Sequence, residues 1–220
     1  MPFPECHETP IPGRARLHET VGSEVYGDIV IGPLAHLTVV VVDVETTGWL
    51  QDHAEITEIG AVRWSGGQLT GEFSSLVRPA GPIPADISSL TGISERMVSG
   101  APLAAPALRA FLAFAGDCVL VAHNAPFDLG FLTSASAACG ISWPPLPVLD
   151  TAVLARLLLG PDVVPDCRLV SLAAYFGTRT VPSHRALADA KATAEVLAGL
   201  LRLAAGCRQP GDSLLDRLAS

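Results

Sequence analysis

The sequence predicts an α/β fold with a mixed central sheet, an antiparallel hairpin plus parallel strands, flanked by helices. Three observations carry that expectation. The stretch VVVVDVETTG (39–48) opens on four consecutive valines, which are comfortable only in a strand buried on both faces. Two strand-like segments, ITEIGAVRW (56–64) and QLTGEFSSLVRP (68–79), are joined by Ser-Gly-Gly, a tight-turn signal. Beyond them, helical and strand-like segments alternate, as in helices packed on a sheet.

The elements follow in order. The first strand spans 37–45, with the hairpin beside it. ADISSLTGISERMV (85–98) reads as short helical pieces broken at Gly92, with Ser94 as the cap before Glu95. PLAAPALRAFLAFAG (102–116) is a helix stopped by glycine, and DCVLVAHN (117–124) a buried strand. Asn124 is placed to cap the helix APFDLGFLTSASAACG, with Pro126 in its first turn, where proline is tolerated. VLD (148–150) is a short strand feeding the helix TAVLARLLLG, and RLVSLAAYFG (168–177) is another helix. The last helix runs from about Arg185 to Ala205, so a domain over 36–205 lies between a Gly- and Pro-rich extension (1–35) and a tail (206–220).

The composition narrows the function. A net charge of −8 and a pI near 5.1 argue against a basic surface gripping long nucleic acid, though not against an enzyme holding a few nucleotides through metal ions. No apolar run approaches the roughly 20 residues of a membrane span, and MPFPECHETP lacks the pattern of a secretory signal. Five cysteines without a CxxC pair suggest reduced thiols in a cytoplasmic protein and no zinc site.

The valine strand ends in Asp43 and Glu45, with no Lys or Arg between residues 17 and 62. Residues two apart on a strand share a face. Two like charges about 4 Å apart repel by roughly 4 kcal/mol at an effective dielectric near 20. Either one is protonated or a cation sits between them. The last helix poses a similar question. Leu187, Ala190, Ala194, Leu197 and Leu201 form its apolar stripe, and Lys191, Glu195 and Arg202 gather on what must be the solvated face. Asp189 falls roughly 150° from that face at about 100° per residue, so it needs a partner. Asp128 lies in the first turn of its own helix between Phe127 and Leu129. His184 stands at the entrance of the last helix, able to swing over the Asp189 face, and imidazole suits a general base at neutral pH. His123, at a strand end beside Asn124, is the rival base and is assigned a structural or substrate-positioning role. Glu58 is assigned a structural hydrogen bond. Four carboxylates and a histidine at strand ends and helix starts describe a hard-cation site for Mg²⁺ or Mn²⁺. Two such ions about 3.5–4 Å apart would clamp a phosphoryl centre.

DVETTG (43–48), LVAHNAPFDLGFL (120–132) and HRALADAKAT (184–193) resemble the three motifs of the DnaQ-like, or DEDDh, 3′–5′ exonucleases, the family of the bacterial DNA polymerase III epsilon subunit. ITEIGAV (56–62) and LTGIS (90–94) are similar to segments between those motifs, and the resemblance covers about 37 to 203. It implies an RNase H-like fold and two divalent ions, Mg²⁺ or Mn²⁺. Asp43 would bridge both ions, Glu45 and Asp189 would complete the first site, Asp128 would support the second, and His184 would deprotonate the attacking water. Thr46, Thr47 and Gly48 would lie against the terminal nucleotide, and Trp49 or Phe127 could contact its base, with packing the favoured role for Phe127. His123 and Asn124 would line the same substrate site.

The implied substrate is single-stranded or frayed DNA, cut from the 3′ end to nucleoside 5′-monophosphates in proofreading or repair, with a polymerase or repair complex as partner. RNA is the alternative, as in RNase T and oligoribonuclease. Oligoribonucleases usually carry methionine where this chain has its first threonine or its neighbour, so DVETTG leans towards DNA, and the 14 basic residues form no obvious cluster. A silent binding module would have lost one of the five residues, and none is lost. The tail 206–220 shows no clamp-binding peptide, and PDCRLVSLAAYFG with HRALADAKAT is similar to exonuclease domains that some bacterial proteins fuse to a UvrC-type nuclease module.

Overall fold

The computed structural model of the protein describes residues 38–51 and 53–206. The expected extension 1–35, the strand start at 37 and the tail beyond 206 lie outside the described residues. Three strands come first: β1 (Thr38–Thr46), β2 (Ile56–Ser65) and β3 (Gln68–Leu76). Helices α1 (Ala85–Thr91), α2 (Glu95–Val98) and α3 (Ala104–Ala115) follow, then β4 (Val119–Ala122), α4 (Ala125–Ala138), β5 (Val148–Asp150), α5 (Thr151–Leu158), α6 (Leu169–Phe176) and α7 (Ala186–Gly206). The sheet order is β3-β2-β1-β4-β5, antiparallel across β3, β2 and β1 and parallel across β1, β4 and β5. This is the mixed sheet that the sequence predicts.

The valine run is the centre of that sheet, and each face of β1 meets a different helical layer. Val40, Val42 and Val44 pack with Leu108 and Phe111 of α3 and with Phe131 and Leu132 of α4. Val39 and Val41 pack with Ala190, Ala194, Leu197 and Leu201 of α7, the predicted stripe, with Leu187 at its margin. Burying a valine side chain stabilises by roughly 1.5–3 kcal/mol, so a strand covered on both faces has no use for a polar residue until it leaves the core. The opposite side of α7 is buried as well, with Val196 and Leu200 against Ala155 and Leu172 of α5 and α6.

Several local expectations change in three dimensions. The predicted solvated face of α7 is exposed at Arg202 but only half-exposed at Lys191 and Glu195. Lys191 Nζ lies 2.8 Å from a Glu72 carboxylate oxygen on β3, and Glu195 accepts hydrogen bonds from residues 179 and 180. The hairpin and the loop before α7 cover that side, which a helical wheel cannot foresee. Ser94 and Asn124 hold the cap positions of α2 and α4, but neither side chain makes a cap hydrogen bond. Asn124 is left-handed, at φ 66°, and Asp150 takes its place: one carboxylate accepts the N–H groups of Asn124, Ala125, Ala152 and Val153. Asp150 therefore caps α4 and α5 together. Cys139 and Cys167 are free thiols, as expected. Cys118 is disulfide-bonded, against the expected reduced set, because which thiols come within bonding reach is decided by the fold and not by spacing in the chain. Among the described residues no helix is long and apolar enough to cross a membrane.

One glycine sets the distance between α7 and the sheet. A Cβ on Gly60 would overlap the backbone of Ala186 and Leu187, so the first turn of α7 rests directly on β2. Backbone cannot rotate aside as a side-chain tip can. Gly60→Ala is expected to cost at least about 3 kcal/mol, lowering Tm by roughly 6–12 °C at 2–4 °C per kcal/mol. Thermal unfolding of the two proteins checks this. A loss under about 2 °C would mean that α7 is free to lift.

Candidate active site

The parallel register Val41↔Val121 brings the carboxyl ends of β1 and β4 to one edge of the sheet, where Ala122↔Asp150 adds the end of β5. Asp43 and Glu45 leave β1 on the same face as Val39 and Val41, under α7. Across the ladder Asp43 pairs with Gly60 and Glu45 with Glu58. The missing side chain at 60 lets α7 settle beside these acids, and Asp189 in its first turn is 6% exposed. Asp189 is held by the backbone N–H of Ser183, 2.8 Å from Oδ1. Asp128 arrives from the other layer, on α4. It is 3% exposed, and its Oδ1 accepts the N–H of Val44 at 3.0 Å, beyond the last β1–β4 pair. The wheel argument that Asp189 turns away from solvent is borne out in position, and Asp128, expected in the first turn of its helix, is there and buried.

His184 is exposed, with φ 54°. Its ring approaches Glu45 and Asp189 closely enough that one ligand atom from each lies within 4.8 Å of the other two. Glu58 is 2% exposed and bound to Arg185 Nε, Arg185 Nη2 and the Ala186 N–H, which is the structural hydrogen bonding expected of it.

A cavity of about 190 Å³ opens over this edge. Asp43, Glu45, Asp128, His184 and Asp189 line it, together with Thr46, Gly48, Trp49, His123, Asn124 and Phe127. Thr47 alone of the predicted set is elsewhere: its Oγ1 accepts the Glu55 N–H at 2.9 Å and its own N–H donates to the Glu55 carbonyl, closing the loop after β1. Trp49 is 66% exposed, with its ring 6.3 Å from that of Phe127, which packs on Phe131 at 5.0 Å. Phe127 is half-buried, so packing and cavity lining coexist in one ring. His123 Nδ1 lies 2.9 Å from Thr151 Oγ1, which ties the end of β4 to α5 and fits the positioning role. Ile87, Leu90 and Thr91 of α1 and Leu169 of α6 also line the cavity and were not expected. The signals were LTGIS for Leu90 and Thr91 and PDCRLVSLAAYFG for Leu169, segments that resemble family sequences without saying that they face the acids.

The acids are poorly compensated. Burial first, then Asp128, Glu45 and Asp189, push Asp43 well above the usual carboxylate range. Burial, then Asp189 and Glu58, push Glu45 up to about 8. Burial raises Asp128 to about 8 against the pull of the Val44 N–H, and burial raises Asp189 against the Ser183 N–H. Burial also lowers His123. Among the described residues no Lys or Arg lines the cavity. Glu45 and Asp189 each bring a carboxylate oxygen, and His184 a ring nitrogen, within 4.8 Å of one another, with Asp43 and Asp128 lining the same cavity, a donor set that fits a divalent ion such as Mg²⁺ or Mn²⁺.

Comparison with known proteins agrees with the fold and with an exonuclease family. A family model described as Exonuclease (RNase_T) matches residues 40–197. A Mycobacterium tuberculosis protein (strain CDC 1551 / Oshkosh) described as a bifunctional exonuclease/endonuclease is 49% identical over 174 residues, 76% of this chain and 27% of that protein. The PolC-type DNA polymerase III of Clostridium perfringens (strain 13 / Type A) is 43% identical over 72% of this chain and 11% of its own length. The chain thus spans about a quarter or less of these two relatives. Exonuclease X, solved with 5′-overhanging duplex DNA, superposes with a TM-score of 0.61 at 25% identity, covering 81% of this chain and 98% of that one. The nuclease domain of 3′hExo, a DEDDh family member bound to rAMP, gives 0.64 at 18% identity over 75% and 92%, a likeness of fold.

The raised carboxyls make a prediction without metal. Glu45 and Asp128 sit at about 8 in the folded protein against ordinary values of 4.5 and 3.8. The folded chain therefore binds more protons than the unfolded one from about pH 4 to pH 8, and stability must fall as pH rises through that window. In EDTA, Tm is expected to drop between about pH 4 and pH 8, at roughly 2–4 °C per kcal/mol lost. Glu45→Gln and Asp128→Asn should flatten the drop. A wild-type profile that stays level would mean that the acids are not in conflict.

Proposed function

The chain belongs to the exonuclease (RNase_T) family, and from that premise we propose that it is a metal-ion-dependent 3′–5′ exonuclease releasing nucleoside 5′-monophosphates from single-stranded or frayed DNA. The observation that carries the reading is the convergence of Asp43, Glu45, Asp128, Asp189 and His184 on one cavity from β1, α4, α7 and the loop before α7. Asp43, Glu45 and Asp189 would hold one ion, and Asp128 would support a second that Asp43 shares. Bound there, the ions would neutralise charge developing on the phosphoryl oxygens and make water easier to deprotonate.

The remaining roles belong to the protein's own residues. His184, exposed at the cavity rim, takes a proton from the attacking water. The water oxygen bonds to phosphorus, the bond from phosphorus to the 3′ oxygen of the preceding nucleotide breaks, and that oxygen takes up a proton from solvent. Trp49 and Phe127, whose rings border the same cavity, would stack on the terminal base. Thr46, Gly48 and Asn124 would border its sugar and phosphate. Buried Val44 and the Val44–Asp128 hydrogen bond keep this constellation on the rigid end of β1.

DNA is favoured over RNA by the DVETTG segment and by the DNA polymerase named among the relatives. A role in repair is favoured by the 49% identity to a protein whose name describes it as a bifunctional exonuclease/endonuclease. Digestion of 3′- and 5′-labelled DNA and RNA oligonucleotides with Mg²⁺, Mn²⁺ or EDTA tests the reading. A metal-dependent ladder from the 3′ end is expected, faster on DNA. Asp43→Ala should lose at least about 10³-fold and His184→Ala roughly 10²–10⁴-fold, the usual contribution of a general base. Intact oligonucleotides under every condition would overturn the proposal.

A further inference from the structure

His184 occupies the left-handed region at φ 54°, which a non-glycine residue keeps only where its surroundings over-determine it. The surroundings do so on both sides. Upstream, Glu195 of α7 accepts the N–H of Arg179 at 2.6 Å, the N–H of Thr180 at 3.2 Å and the Thr180 hydroxyl at 2.7 Å. Downstream, Glu58 of β2 accepts Arg185 Nε at 3.0 Å, Arg185 Nη2 at 2.8 Å and the Ala186 N–H at 3.0 Å. Neither Glu58 nor Glu195 lines the cavity. Two acids outside the site thus fasten the chain on either side of the histidine, one to the helix and one to the sheet.

We propose that Glu58, through Arg185, and Glu195 are positioning residues that hold the segment 179–186 so that the His184 imidazole stays over Glu45 and Asp189. This rests on the exonuclease reading, in which His184 moves the proton. Glu58 accepts from a backbone N–H in the first turn of α7 and from two donors of the Arg185 guanidinium, Nε and Nη2, so its oxygens are committed to holding Arg185 and Ala186. Glu195 closes the loop by binding two consecutive residues, which fixes the direction in which the chain enters His184. A misplaced base slows the chemical step without weakening substrate binding. A purely structural clasp would instead lower Tm and leave the chemistry alone.

The test is a double-mutant cycle on the full chain, with Glu195→Ala, Arg185→Lys, His184→Ala and Glu195→Ala/His184→Ala hydrolysing a 3′-labelled oligonucleotide below their melting temperatures. Glu195→Ala and Arg185→Lys are each expected to lower kcat by about 10-fold with KM within about 2-fold. Mn²⁺ affinity by calorimetry should stay at the wild-type value, and exchange of the Ser183 and Ala186 amide protons should quicken. In the His184→Ala background, Glu195→Ala should add no further loss, because it acts through a residue already gone. An equal loss in both backgrounds, or unchanged kcat in both single variants, would overturn the proposal while leaving the exonuclease reading intact. A wild-type protein that cuts nothing would overturn that reading first, and this inference with it.

Discussion

The first turn of α7 rests on β2 so closely that position 60 has no room for a side chain, and Glu58, two residues earlier on the same face, binds that turn through Arg185 and the Ala186 N–H. Much else in the molecule follows from this contact. It sets the height of Asp189 above Asp43 and Glu45. It fixes where the preceding loop must bring His184. It also lets the apolar stripe of α7 cover Val39 and Val41, so that the same approach that closes the core assembles the candidate site.

The site is a place where stability and function pull apart. Glu45, Asp128 and Asp189 are buried at the end of the central strand and Asp43 partly so, and burial first, with repulsion from neighbouring acids behind it, raises their proton affinities. A fold tolerates such a conflict only with stabilisation elsewhere. Here it comes from a strand covered on both faces and from Asp150, whose single carboxylate caps two helices and so steadies the one that carries Asp128. Charge is added by Arg185 too, but it is already committed to Glu58, which leaves the acids of the cavity available to a divalent ion.

The two layers divide the work. Asp128 belongs to the layer of α3 and α4, Asp189 and His184 to the layer of α7, and β1 supplies the acids between them. The recognition surface is built differently. Trp49 sits on an exposed loop held shut by Thr47 and Glu55, and Leu90 of α1 reaches the cavity from a separate helix. Rigid acids with a more exposed, aromatic rim suit an enzyme that repeats one reaction on successive nucleotides.

The sequence by itself determined the mixed sheet, the order of its elements, the apolar stripe of α7 and the membership of Asp43, Glu45, Asp128, His184 and Asp189 in one set. These were legible because each depends on local pattern: a valine run, a Gly-Gly turn, helical spacing, or a motif of a few consecutive residues. Tertiary structure alone decided what holds that set in place. Asp150 replaces Asn124 as the cap of α4 from 26 residues away, Glu58 reaches Arg185 across 127, and Glu195 leaves an apparently solvated face to pin residues 179 and 180. Such partners carry no signal in the chain, because a carboxylate that will bind a distant N–H looks like any other acid until the fold brings the donor to it.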